Sequence, residues 1–306
     1  MPALVLALNP AIDAEWRVKQ IQWEEKNTLL SERRWAGGKG INVIRWVRHL
    51  GGDGRLLLPL GGRTGAELAG YLRAETIPAR IVALREPTRV NVVVTTSAGR
   101  QLRFNPAGPK LAGREWNRIL EQVEAALFRA GLLILSGSLP RGIPATAYAQ
   151  LVRMAHRAGV KTVLDCDGLA FKAGVKARPF LVKPNEHELA QWWGRKLRSE
   201  PEMVRAARAL SVSSGGWVLV SRGAKRALLL NVPAKATFFA QPPRLSRRNS
   251  VGAGDALLAA VARQIQRCAP PGEWLRWGVA AGSAATQCRA GELPPRTLVP
   301  NLLKQV

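Results

Sequence analysis

The stretch Gly-Leu-Leu-Ile-Leu-Ser-Gly-Ser-Leu-Pro-Arg-Gly-Ile-Pro-Ala-Thr-Ala-Tyr-Ala-Gln-Leu-Val-Arg-Met-Ala-His-Arg-Ala-Gly-Val-Lys-Thr-Val-Leu-Asp, residues 131–165, decides the fold. A short apolar run at 132–136 reads as a buried strand, 146–158 carries a longer helical pattern, and 162–165 is a second buried strand. Outward from this unit the rhythm repeats, with strands at 3–8, 55–60, 180–182 and 217–221 and helices at 41–50, 65–74, 115–130, 201–210, 253–268 and 273–287. Such alternation predicts an α/β fold, a mostly parallel sheet covered by helices on both faces. Several helices run into glycine, as at Leu50-Gly51-Gly52 and Ala130-Gly131, which predicts left-handed stops.

Two segments break the rhythm. Residues 14–35 hold no long helix, and 88–105 read as a hairpin turning at Ala98-Gly99. Together they predict a small antiparallel sheet projecting from the body of one domain spanning 1–306, placed to close as a lid over the carboxyl ends of the parallel strands.

Composition narrows the function. The longest apolar runs are far too short to span a bilayer, no secretory signal opens the chain, and the expected location is the cytoplasm. Cys166, Cys268 and Cys288 are odd in number and widely spaced, so they form neither a disulfide framework nor a zinc site. The net charge of +25, from 46 Lys+Arg against 21 Asp+Glu, suits an anionic ligand. The basic residues are spread along the chain and their densest groups, Arg33-Arg34 and Arg244 with Arg247-Arg248, are too small for a dedicated nucleic-acid arm.

Four segments carry chemistry. Asn249-Ser250-Val251-Gly252-Ala253-Gly254-Asp255 opens an apolar helix, so its amides offer a cradle for phosphate and Asp255 a base for a hydroxyl aligned on phosphorus. An ordinary helix cap fits the same residues. Gly37-Gly38-Lys39-Gly40-Ile41-Asn42 again leads open backbone into a helix, with Asn42 suited to sugar hydroxyls. Asp13 ends Asn9-Pro10-Ala11-Ile12-Asp13 at the carboxyl end of the first strand, either as a polyol acceptor or as a turn residue. Asn185 and the acids of Lys183-Pro184-Asn185-Glu186-His187-Glu188 follow another strand, as holders of hydrated Mg2+ or as first-turn helix carboxylates. Neither a Rossmann fingerprint nor a Walker A loop is present: Leu257 stands where the first needs a small residue, and Arg33 where the second needs glycine.

In this order the segments resemble the PfkB (ribokinase-like) carbohydrate kinases, most of all the 1-phosphofructokinase and tagatose-6-phosphate kinase branch. Thr-Arg-x-Asn at 88–91, Asn-x-x-Gly-Pro at 105–109 and Ser-Gly-Ser-Leu-Pro at 136–140 complete seven motifs in register. The resemblance implies a three-layer α/β/α sandwich, with ATP and Mg2+ used to phosphorylate a ketohexose monophosphate to a bisphosphate, and a β-lid that also serves as a homodimer clasp. Asp255 would be the base, and Gly252, Ala253 and Gly254 the phosphoryl amides. Asp13, Gly38 and Asn42 would hold the sugar, while Arg89 and Lys39, then Lys26 and Ser138, would meet its phosphate. Asn185 and Glu188 would organise Mg2+; Ser221 and Gly223 would lie by the nucleotide, Ala281 and Gly282 by adenine. Departures are Arg222-Gly223-Ala224-Lys225-Arg226, which predicts an altered nucleotide loop, Asp167 as an extra acid, and Asn249-Ser250 in place of the Asp-Thr pair of potassium-binding relatives. Two rival readings remain: a kinase for a neutral sugar or nucleoside, and a basic adaptor that keeps the fold but binds nucleic acid or an acidic partner.

Overall fold

A computed structural model of the chain describes residues 1–246, 249 and 251–306. The Arg247-Arg248 pair and Ser250 lie outside the described residues, so the potassium question at Asn249-Ser250 does too.

The strands, in chain order, are β1 (Ala3–Leu6), β2 (Ala11–Val18), β3 (Ser31–Gly37), β4 (Gly54–Gly61), β5 (Ala79–Leu84), β6 (Arg89–Thr96), β7 (Gln101–Phe104), β8 (Leu132–Ser136), β9 (Lys161–Asp165), β10 (Leu181–Val182), β11 (Trp217–Val220), β12 (Ala227–Asn231) and β13 (Ala236–Ala240). The helices are α1 (Lys39–His49), α2 (Gly62–Ala74), α3 (Gly113–Leu127), α4 (Ala147–Arg157), α5 (Gly168–Lys176), α6 (Glu186–Trp193), α7 (Glu200–Ser214), α8 (Ala253–Gln266), α9 (Pro271–Ala285) and α10 (Leu298–Leu303).

Nine strands form the central sheet in the order β13-β12-β11-β10-β9-β8-β1-β4-β5. It is parallel from β5 through β11, and β12 and β13 add an antiparallel edge. Successive side chains of β1 enter opposite cores, Ala3 and Val5 with α1, α8 and α9 on one face, Leu4 and Leu6 with α3, α4 and α7 on the other. That two-sided burial is why the strands read as unbroken apolar runs.

A second sheet, in the order β3-β2-β6-β7, lies where the 14–35 and 88–105 segments pair. The expected all-antiparallel arrangement is corrected: β2 and β6 run parallel, with Ala11 opposite Arg89, because separate connections deliver both strands from the same end of the central sheet. The hairpin turn is where the sequence placed it, with the Thr96 N–H donating to Arg100 and Gly99 at φ 78°. Because β2 follows directly on β1 through Asn9-Pro10, and β3 leads straight into α1, both ends of this sheet are anchored at the carboxyl edge of β1.

The glycine stop expected at Ala130-Gly131 is not one. Helix α3 ends at Leu127, and Gly131 is absent from the left-handed glycines, which include Gly51 and the C-caps Gly194 and Gly215. Strand β5 escaped the sequence reading because Arg80 and Ile81 face solvent at the sheet edge and break the apolar run.

Helices α8 and α9 pack closely at Gly278. A Cβ on Gly278 would sit 2.9 Å from Val261 Cγ2 and 3.3 Å from the Leu257 carbonyl oxygen. Gly278→Val should therefore destabilise the protein by about 1–3 kcal/mol, seen as a lower thermal midpoint. Adding Val261→Ala should restore part of the loss; an unchanged midpoint in the single variant would contradict this close packing.

Candidate active site

A cleft of about 1380 Å³ opens at the carboxyl ends of the central strands, roofed on one side by the second sheet. Ligand pockets commonly measure roughly 300–1,000 Å³, so two ligands fit end to end.

At its centre stands Asp255. The first N–H groups of an α-helix have no partner within the helix, and α8 begins at Ala253, so Ala253, Gly254 and Asp255 present such amides. Gly252 precedes them at φ 80° and Gly38 stands before α1 at φ 94°, left-handed conformations in which a Cβ is strained. The two glycine turns bring both helix starts to the same cleft, where Asn42 Nδ2 donates to Asp255 Oδ2 at 2.8 Å.

Burial is the largest influence on Asp255 and pushes its carboxyl up, the nearby Asp165 carboxylate adds to this, and Asn42, Lys39 and Lys183 pull it down only in part; it settles at about 6. Asp165 is fully buried at the end of β9. Burial alone would raise its carboxyl, but the Lys183 ammonium at 3.1 Å and that of Lys39 at 3.4 Å outweigh it and hold it below its ordinary value. Two neighbouring carboxyls, one lining the cleft and one buried behind it, are thus driven apart, Asp165 held below and Asp255 above the ordinary carboxylate range.

Toward the second sheet lies a polar end. Asn91 Nδ2 donates to Asp13 Oδ1 at 2.8 Å. Burial raises the Asp13 carboxyl despite Asn91, Arg89, Arg45 and the Gly38 N–H. Arg89 is fixed by donating to the Pro106 carbonyl at 2.8 Å and the Asn9 carbonyl at 3.0 Å, and burial lowers its affinity for its proton. Ser138 accepts from Asn9 Nδ2 at 3.1 Å.

At the opposite end, Ser221 pairs with Asn185 in a bridge continuing the sheet, and Gly223 follows in the cleft wall. The altered 222–226 loop is pinned from behind. The Arg222 side chain, 5% exposed, donates to Glu200 at 2.7 Å and Glu186 at 3.3 Å, Lys225 meets Glu186, and Arg226 meets Glu200. These charges anchor the loop, and Gln241 ties it across by donating to the Ala224 carbonyl.

Most sequence candidates converge here: Asp13, Gly38, Lys39, Asn42, Arg89, Ser138, Asn185, Glu188, Ser221, Gly223, Gly252, Ala253, Gly254, Asp255 and Gly282 all line the cleft. Ala281 does not. It is fully buried in the core, because on a helix Val279, Gly282, Ser283 and Thr286 share the face turned to the cleft and residue 281 falls between. Lys26 is exposed in the connection between β2 and β3, away from the cleft lining. Lys39, read as a partner of the sugar's phosphate, instead sets its ammonium against Asp165 and, at 3.8 Å, Glu188. Asn185 and Glu188 form a capping box, each side chain accepting from the other's N–H at 2.8 Å, so α6 fixes them as a unit. Among the described residues no three His, Cys, Asp or Glu side chains cluster as a metal cage.

The sequence reading missed the role of Lys183, a buried lysine beside Gly254, and Arg103, which brings a further cation from β7. The signal for Lys183 in the sequence is a lysine directly after a strand; Arg103 has none beyond hairpin alternation.

Comparison with known proteins agrees with this geometry. The model of the pfkB family of carbohydrate kinases matches residues 8–297. The chain is 36% identical over 285 residues to ATP-dependent 6-phosphofructokinase isozyme 2 of Escherichia coli, covering 92% of this chain and 91% of that one. It is 31% identical to 1-phosphofructokinase of Bacillus subtilis, covering 98% and 97% respectively. The crystal structure of Escherichia coli phosphofructokinase-2 in complex with fructose-6-phosphate is similar at a TM-score of 0.91 and 32% identity, over 99% of this chain and 98% of that one. The chain belongs to the pfkB family of carbohydrate kinases.

Proposed function

We propose that the protein transfers the γ-phosphoryl group of ATP to a hydroxyl of a ketohexose monophosphate, giving a bisphosphate. The observation that carries this is the buried Asp255 carboxyl beside the open amides of α8, with Arg89 and Arg103 in the same cleft.

In this reading the sugar hydroxyls rest on Asp13, Asn42 and Gly38, and the second sheet is a lid over them. Arg89 meets the sugar's phosphate, with Arg103 as a second cation and Ser138 as a donor. Ser221, Gly223 and the Gly282, Ser283, Thr286 face hold the nucleotide. Asp255 takes the proton as the hydroxyl oxygen bonds to the γ-phosphorus and the bond from phosphorus to the bridging β-γ oxygen breaks, releasing ADP. The Gly252-Ala253-Gly254 turn and Lys183 steady the charge on the moving phosphoryl group. Glu188, oriented by Asn185, would hold Mg2+ through its waters, and the ion would supply charge neutralisation on the triphosphate. The enzyme works in the cytoplasm.

The lid also offers a clasp. Trp23, Leu30 and Phe104 are 75%, 64% and 53% exposed on or beside it, an apolar surface suited to the same surface of a second copy.

Four outcomes are expected. Asp255→Asn should lower kcat by about 10²–10⁴ with little change in ATP binding, measured by a coupled assay beside calorimetry; turnover like the wild type would remove its role. A base must be ionised, and Asp255 sits at about 6 in the free protein, so kcat/KM should fall about tenfold per unit as pH drops below 6 and level off above 7. A flat profile from pH 5 to 8 would contradict this. Arg89→Ala should raise the phosphosugar KM about 10- to 100-fold with the ATP KM preserved; an unchanged phosphosugar KM would exclude the phosphate contact. In sedimentation the wild type should be a dimer and Leu30→Glu a monomer, and a monomeric wild type would dismiss the clasp.

A further inference from the structure

The amide of Asn42 has two orientations that differ by a half-turn, and they are chemically opposite. One offers NH2 to Asp255, the other a carbonyl oxygen that would face the carboxylate with repulsion. Behind Asn42 stands Arg45, three residues on along α1 and 6% exposed. Its Nη1 donates to Asn42 Oδ1 at 3.2 Å, while Asn42 Nδ2 donates to Asp255 Oδ2 at 2.8 Å. A guanidinium carries only donors, so it accepts one orientation of the amide and rejects the other.

Arg45 is itself held by three further hydrogen bonds to two partners. Nε donates to Glu75 Oε2 at 2.6 Å and Nη2 to Glu75 Oε1 at 2.7 Å, a two-pronged pair with the residue that caps α2. Nη2 also donates to the Ala36 carbonyl of β3 at 2.9 Å. Arg45 thus donates both ways, to Glu75 outside the cleft and to Asn42, and Asn42 in turn donates to Asp255, so the direction of every bond in the chain is fixed.

We infer that Arg45 is a positioning residue, which locks the Asn42 amide so that its NH2 faces Asp255 and aims the carboxylate at the substrate hydroxyl. The inference rests on Asp255 as the base. Asp255 is also faced by Asp165 from β9, Lys39 from α1 and Lys183 from the end of β10, none of which Arg45 hydrogen-bonds, whereas the Arg45 charge also acts on Asp13, whose sugar contact is read separately in the phosphosugar KM. A plain structural role is the rival, because the pair with Glu75 joins two helices. It would cost stability without acting through Asn42.

A double-mutant cycle separates the two. Arg45→Met should lower kcat about tenfold, with the ATP KM held within about twofold, and move the acid limb of kcat/KM to higher pH, because a weaker Asn42 contact leaves the Asp255 proton more tightly bound. In an Asn42→Ala background the same substitution should change kcat by less than about twofold. Glu75→Gln, at a partly exposed position, should show the same pattern more weakly and carries the test if Arg45→Met does not fold. An equal loss of kcat with and without Asn42, or no loss in either single variant, would overturn the inference. The parent reading fails separately: a fully active Asp255→Asn would discard the base, whereas an additive cycle with an inactive Asp255→Asn discards Arg45 alone.

Discussion

In the proposed reaction a buried carboxylate takes a proton and meets opposing demands: burial keeps it protonated, and the transfer needs it bare. Asp255 lives on that balance, since burial and Asp165 favour the acid form while the Asn42 hydrogen bond and the Lys39 and Lys183 ammonium groups favour the anion. The outcome near 6 depends on Asp165 being saturated with positive charge. Without Lys183 and Lys39 against it, Asp165 would be a second buried acid competing for the same proton. Much of the remaining structure serves to bring these groups to one point.

The parallel sheet does this by geometry. Parallel strands end on the same edge, so Lys183 and Ser221 reach the cleft from the ends of β10 and β11 with Asp165 buried behind them at the end of β9, although they are far apart in sequence; Asp13, expected at the end of the first strand, comes instead from β2 of the second sheet. Two helices then start there, and their unpaired amides add positive ends without further side chains. The second sheet grows from the carboxyl edge of β1 and returns to α1, so any movement of it acts directly on Asp13, Gly38 and Asn42.

Much of this was legible in the chain. The apolar runs gave away the central strands because those strands are buried on both faces, and the glycine turns at 37–40 and 252–254 marked helix starts with open backbone. Legibility stopped where a role depends on what lies across the cleft. Nothing around Lys39 tells that its ammonium meets Asp165, 126 positions away, rather than an incoming phosphate. Ala281 sits one step off the helical face that lines the cleft, a phase that motif alignment does not resolve. Arg222 looked like damage to a nucleotide loop, yet Glu186 and Glu200 stand ready to receive it. Arg45 drew no notice, because an arginine in an amphipathic helix ordinarily faces solvent.

The most direct measurement is a crystal structure with the ketohexose monophosphate and a nonhydrolysable ATP analogue bound together. The account predicts an Asp255 oxygen within about 2.6–3.2 Å of the substrate hydroxyl in line with the γ-phosphorus, and the amides of the 252–254 turn on the γ-phosphate oxygens. A hydroxyl resting on another carboxylate, or a γ-phosphate held away from that turn, would contradict it.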